Sequence, residues 1–220
     1  MLVPLQRAGF VENYDLIPSK IIGIGQNYRA HATEMGKGIP EEPLVFMKPR
    51  SAMIPDGGAI ERPPGYERVA LDGELGVVIG TRARRVSKDR ALDYVLGYTI
   101  VNDVSCRDLQ KKDVQYIRAK GFDSFCPIGP RIVPGLAPNS LRLQTRLNGV
   151  TKQDSSTSDM IFDVPTLISF CSQYMTLEPG DVISTGTPAG VSNLTPGDVV
   201  EIEIEGIGIL RNPVIARSES

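Results

Sequence analysis

Glycine and proline punctuate this chain so often that no long regular element fits between them. Its 220 residues include 22 Gly and 17 Pro, and the apolar runs they bound are short. That pattern favours many strands joined by turns over a helix bundle. IIGIG at 21–25 and LVFMK at 44–48 read as strands. LRLQTRLNGVTKQ, from residue 141, alternates apolar and polar positions and carries Asn148-Gly149, a strong signal for a two-residue hairpin turn. VVEIEIEG, from 199, puts Val200, Ile202 and Ile204 on one face and Glu201, Glu203 and Glu205 on the other. LEPGDVI (177–183) and LTPGDVV (194–200) are near-copies, each a turn feeding a strand, and two copies fall short of a repeat array. Helical spacing is predicted over KDRALDYVLGY, 88–98, and over DVPTLISFCSQYM, 163–175, where Asp163 can cap and Pro165 sits in the first turn. No low-complexity linker divides the chain. The expectation is one α+β domain dominated by strands.

Charge and composition narrow the function. A net charge of −2 and a pI near 5.6 argue against a nucleic-acid partner, which needs a basic face. No apolar run approaches the roughly 20 residues needed to span a bilayer, so no membrane partner is expected. The opening MLVPLQRAGFVENYD lacks the continuous apolar stretch of a signal peptide. Cys106, Cys126 and Cys171 are odd in number and lack CxxC spacing, so neither a disulfide framework nor a zinc knot is indicated. The reading is a cytoplasmic protein of a reducing compartment. With His31 as the one histidine, a bound metal must rely on oxygen ligands.

Three acids offer such ligands. In VALDGELGVVIG, 69–80, strand alternation turns Asp72 and Glu74 the same way and Leu71, Leu75 and Val77 the other. Paired carboxylates on one face repel unless a cation lies between them; taken alone, the segment is equally a solvated polar face. GYTIVNDV reads as a buried strand with Asp103 near its end, a third ligand or simply a capping aspartate. Three carboxylates with room for water describe a site for a hard cation, Mg²⁺ before Mn²⁺ or Ca²⁺. NYRAHATE, 27–34, sets Glu34 one helical turn beyond His31, which by itself does not separate catalysis from a solvated pair.

Together these stretches resemble the fumarylacetoacetate hydrolase family, in particular its short members acting on acylpyruvates, oxaloacetate or related 2-oxo acids. The resemblance is carried by IGIGQNYRAHATEMG, PEEPLVFMKPRSA, LDGELGVVIG, GYTIVNDVSCRDLQKKD, RAKGFDSFCPIGP, SSTSDMIFDVPTLISF and LEPGDVISTGTPAGV, in family order. It implies a mixed β-sandwich or roll with a few short helices over 20–214, after a short segment 1–19 and before a tail 215–220, with the extra N-terminal domain of longer relatives absent. It implies a metal on Asp72, Glu74 and Asp103. An aspartate stands at Asp72 where the family has a glutamate, one methylene longer. The resemblance also implies His31 and Glu34 as the water-activating pair on a lid helix, Lys120 near the substrate's oxo group, and Gln110 and Thr187 on the substrate. Arg118 is expected to meet a second carboxylate or to be solvated. The distal acyl group is expected against 35–43 and 113–118. The activity implied is hydrolysis of a C–C bond in an acylpyruvate. The alternatives are isomerisation or decarboxylation of a hydroxy-dienedioate or oxaloacetate, or 2-oxo-acid binding without useful turnover. A homodimer is expected.

Overall fold

A computed structural model of the chain describes residues 1–34, 36 and 38–218. Among these, nine strands form the larger sheet. In spatial order its path runs Phe10–Asp15, Leu2–Arg7, Cys126–Val133, Val95–Asn102, Gly73–Ile79, Val182–Ser184, Ile21–Gly25 and Leu44–Lys48, with Met53–Ile54 beside Cys126–Val133. A five-stranded sheet runs Val150–Ser156, Arg142–Leu147, Val199–Ile204, Gly208–Ala216 and Ile60–Arg62. A three-stranded ladder joins Ser105–Cys106, Val69–Leu71 and Ser192–Asn193. The fold is α+β and strand-dominated, as the punctuation of the sequence requires.

The two larger sheets meet through apolar faces that strand alternation supplies. Leu75, Val77 and Ile100 from one and Leu143, Ile202 and Ile204 from the other share a core, each fully buried aliphatic side chain contributing roughly 1.5–3 kcal/mol. On the far face, Val78, Val101, Ile128 and Val182 pack with Val3, Leu5 and Leu16. The central Gly73–Ile79 strand is therefore covered on both sides, which accounts for its run of apolar residues and glycine, interrupted by Glu74 alone. Residues 2–15, expected only as a segment ahead of the core, form a hairpin whose first strand pairs in parallel with Cys126–Val133. The Gly208–Ala216 strand runs into the expected tail, whose last two residues lie outside the described ones.

Asn148-Gly149 turns its hairpin with both residues at positive φ (53° and 78°), as a two-residue turn of this type demands. Val164–Tyr174 is a helix capped by Asp163, whose carboxylate accepts from the Thr166 N–H at 3.0 Å. The 88–98 expectation is half wrong. A 3₁₀ segment covers Lys88–Tyr94, and Val95 opens the strand Val95–Asn102, because valine, tyrosine, threonine and isoleucine there fit a pleated, buried surface better than a helix. Among the described residues, no helix is long and apolar enough to cross a membrane.

Candidate active site

The strand VALDGELGVVIG does not run straight through. It breaks at Asp72, so Val69–Leu71 joins the small ladder and Gly73–Ile79 the large sheet. Gly73, next after the break, is obligatory: a Cβ there would lie 2.3 Å from Thr145 Oγ1. Asp72 and Glu74 still reach one cavity of about 540 Å³, which Asp103, directly after the Val95–Asn102 strand, also lines. His31, Gln110, Lys120 and Thr187 line it too. All three acids are buried, with exposures of 1–2%.

Burial of charge needs partners, and each acid has different ones. Arg107 Nη2 straddles the Asp72 carboxylate at 2.5 and 2.6 Å, and Ser105 Oγ donates to it at 2.9 Å. Asp103 accepts from Lys48 Nζ at 2.6 Å and from Lys120 Nζ. Burial pushes the Asp103 carboxyl up, but the two lysines outweigh it and hold the group below the usual carboxylate range. Glu74 has weaker support: its Oε2 accepts from Ser184 Oγ at 2.6 Å and from the Gly186 N–H at 2.8 Å. Burial, reinforced by the charge of Asp103, pushes Glu74 up to about 8.

The donor set is all oxygen and suits a hard divalent cation in kind, and the raised Glu74 follows from its burial first and the nearby charge of Asp103 second. In placement, no three acidic, histidine or cysteine side chains among the described residues are gathered at ligating distance. Arg107 draws Asp72 aside, and Lys48 and Lys120 hold both oxygens of Asp103. Both oxygens of the shorter aspartate are thus taken by the one Arg107 Nη2. A cation on Glu74 and Asp103 would compete with Lys120 for the latter.

The predicted short helix is Arg29–Glu34. Its root is fastened by Asn27, whose Nδ2 donates to the carbonyls of Phe162 (3.0 Å) and Thr185 (2.7 Å). His31 is buried, with Nδ1 3.2 Å from Glu34 Oε2. Glu34 does not itself line the cavity; the Gly190 N–H donates to its two oxygens at 3.2 and 3.3 Å. Lys120 closes the one-turn helix Ile117–Lys120 and lies over the Phe46 ring, 4.6 Å from its centroid. Gln110 ends the Arg107–Gln110 turn and is held by Arg107 Nη1 at 2.8 Å.

Arg118 is not brought to the cavity. Its guanidinium pairs with Asp113 at the surface, because it lies on the outward side of the helix that turns Ala119 and Lys120 inward. Asp113, Val114 and Tyr116 do line the cavity, and Tyr116 takes a left-handed φ of 60° to do so. Of the segment 35–43, Met35 and Lys37 lie outside the described residues, and the described remainder does not line the cavity. Lys48 escaped notice as a site residue. Its signal was strand alternation: in LVFMK it shares the inward face with buried Phe46, an expensive place for an unpaired ammonium.

Comparison with known proteins agrees with this geometry. A family model described as fumarylacetoacetate (FAA) hydrolase C-terminal matches residues 20–215. Oxaloacetate tautomerase YisK of Bacillus subtilis is 45% identical over 214 residues, covering 90% of this chain and 70% of that protein. The crystal structure of 2-hydroxyhepta-2,4-diene-1,7-dioate isomerase from Mycobacterium marinum superposes with a TM-score of 0.87 at 45% identity, covering 95% of this chain and 79% of that one. Fumarylpyruvate hydrolase from Pseudomonas aeruginosa, solved with Mn²⁺ and pyruvate, superposes with a TM-score of 0.90 at 28% identity, covering 98% and 97%.

Proposed function

The chain belongs to the fumarylacetoacetate hydrolase family, and from that premise we propose that it is a divalent-metal-dependent hydrolase cleaving a C–C bond in acylpyruvates. The observation that carries this reading is the buried His31, held through Nδ1 by Glu34, which is itself fixed by the Gly190 N–H. Isomerisation has no need of a base aimed at water; hydrolysis does.

Glu74 and Asp103, with Asp72 beside them, would hold a divalent cation, which would supply Lewis acidity for enolate formation. The chain's own residues do the rest. Lys120 sets positive charge beside the substrate's 2-oxo oxygen. With Nδ1–H donated to Glu34, the imidazole offers Nε2 as acceptor for a proton from water, and Glu34 stabilises the imidazolium so formed. The hydroxide adds to the distal carbonyl, the C–C bond breaks, and pyruvate enolate and a carboxylic acid leave. Thr187 and Gln110 orient the substrate; correct placement of water against carbonyl supplies several kcal/mol of the barrier.

A second reading is favoured by the relatives that share 45% identity, a tautomerase and an isomerase. There the same enolate is reprotonated, or forms as CO₂ leaves, and no water is consumed. The test is incubation with Mg²⁺ and acetylpyruvate, fumarylpyruvate or oxaloacetate, following enol absorbance and pyruvate release, beside His31→Ala. Cleavage of a diketone that falls about 10²–10⁴-fold in the variant supports hydrolysis. Turnover of oxaloacetate alone, retained by the variant, supports the second reading and sinks the first.

A further inference from the structure

Behind the cavity, one buried carboxamide ties together elements that are far apart in sequence. Gln153 lies on Val150–Ser156, the edge strand of the smaller sheet, where its neighbours Lys152 and Asp154 are exposed while it is 1% exposed. Its Oε1 accepts the Gly73 N–H at 3.1 Å, and its Nε2 donates to Thr187 Oγ1 at 2.7 Å and to the Pro188 carbonyl at 2.8 Å. Thr187 Oγ1 in turn donates to the Gly73 carbonyl at 3.0 Å, closing a ring of hydrogen bonds. The same strand supports the loop a second time. A Cβ on Gly190 would lie 1.9 Å from the Lys152 carbonyl oxygen, so the loop backbone is pressed against the strand there, and it is the Gly190 N–H that holds Glu34.

We infer that Gln153 is a positioning residue, holding the Asp72–Gly73–Glu74 turn and the 187–190 loop in one register. The inference rests on the functional reading above only for its kinetic consequence. One planar group must accept once and donate twice here, which neither an ionised carboxylate nor an aliphatic side chain can do. With the ring closed, the single Thr187 proton goes to Gly73, one Oγ1 lone pair accepts from Gln153, and the other is left without a protein partner on a residue that lines the cavity. Without Gln153, the Thr187 hydroxyl is free to rotate, the Gly73 N–H is left buried and unpaired, and the loop carrying Gly190 loses its anchors at Thr187 and Pro188. Glu34, and with it His31, then loses its fixed position. A residue that touches no substrate thereby governs both walls of the cavity.

The test uses the full chain carrying Gln153→Met, with Gln153→Asn as a second variant whose amide is too short to span the ring. Hydrogen exchange of the resting protein reads the register without any substrate. Peptides covering 71–75 and 186–191 are expected to exchange about tenfold faster or more in both variants, while the Val199–Ile204 strand is unchanged. With the substrate the wild type turns over, kcat is expected to fall about 10²-fold while KM moves far less. Thr187→Val is expected to fall similarly, and the double variant no further than the worse single one. Unchanged exchange at both segments overturns the inference, as does a kcat within about twofold of wild type or a fully additive double variant. If no substrate in the panel is turned over, the functional reading fails, and the exchange result alone decides the role of Gln153.

Discussion

The three-residue strand Val182–Ser184 has a buried carboxylate at each end, and the two are handled in opposite ways. At its start, Asp181 collects five donors: Ser19 N–H, Ser19 Oγ and Lys20 N–H on Oδ1, and Lys20 Nζ and the Glu178 N–H on Oδ2, all between 2.5 and 3.0 Å. Burial pushes its carboxyl up, but those donors more than offset it and hold it below its ordinary value. At the other end, Glu74 takes only Ser184 Oγ and the Gly186 N–H, keeps one oxygen without a protein donor among the described residues, and is pushed up to about 8. A saturated buried acid is a fastener, here joining the starts of two parallel strands. An unsaturated one that lines a cavity keeps an oxygen open to whatever enters it.

The largest expected effect separates the two by activity. Glu74→Gln replaces a buried acid whose charged form burial already disfavours with a neutral isostere, so turnover should fall about 10³-fold or more while stability holds or rises by ~1 kcal/mol. Steady-state rates beside denaturant unfolding check this, and a strongly destabilised Glu74→Gln would erase the distinction. Asp181→Asn should do the reverse, costing ~2–4 kcal/mol by the same unfolding measurement and leaving turnover per folded molecule within about twofold.

The pH dependence sharpens the contrast. Because the folded pKa of Asp181 is depressed, its stabilisation is fully present above the unfolded value near 4 and is lost as pH falls through the lower folded value. Denaturant midpoints from pH 6 down to pH 3 should therefore decline more steeply for wild type than for Asp181→Asn; parallel curves would mean that Asp181 is not the fastener. The smallest effect belongs to Arg118, whose pairing with Asp113 is exposed. Arg118→Gln should leave the denaturant midpoint unchanged and turnover of mono- and dicarboxylate substrates in the same ratio.

The same strand shows how far sequence alone reaches. The near-copies LEPGDVI and LTPGDVV predicted two equivalent turns, and both deliver one. Asp181 and Asp198 each accept from the backbone N–H three residues earlier, at 2.8 and 2.7 Å. Nothing local says that the first would be buried against Ser19 and Lys20, since that partner lies more than 160 residues away. The apolar alternations, the Asn148-Gly149 hairpin and the Asp163 cap were legible because period and turn chemistry are local. The 88–98 segment misled because helical spacing and a buried strand look alike over a few residues.

At the site, Asp72, Glu74, Asp103, His31, Gln110, Lys120 and Thr187 were gathered by motif, and the structure brings them to one cavity. Lys48, the Arg107–Asp72 pair and the Gln153 ring were not read as parts of it, because each depends on which strands become neighbours. Of the two alternatives open for Arg118, the solvated one is what the structure has: a one-turn helix has two sides, and the charge sits on the wet one.

The most direct measurement is Mn²⁺ binding to the purified chain, followed by the loss of the free-ion electron paramagnetic resonance signal, in wild type, Glu74→Gln and Asp181→Asn. Wild type and Asp181→Asn should each take up one ion per chain, and Glu74→Gln should bind at least about tenfold more weakly. Uptake by Glu74→Gln equal to wild type, or no uptake by any of the three, would contradict the account of Glu74 as an acid kept open for a cation.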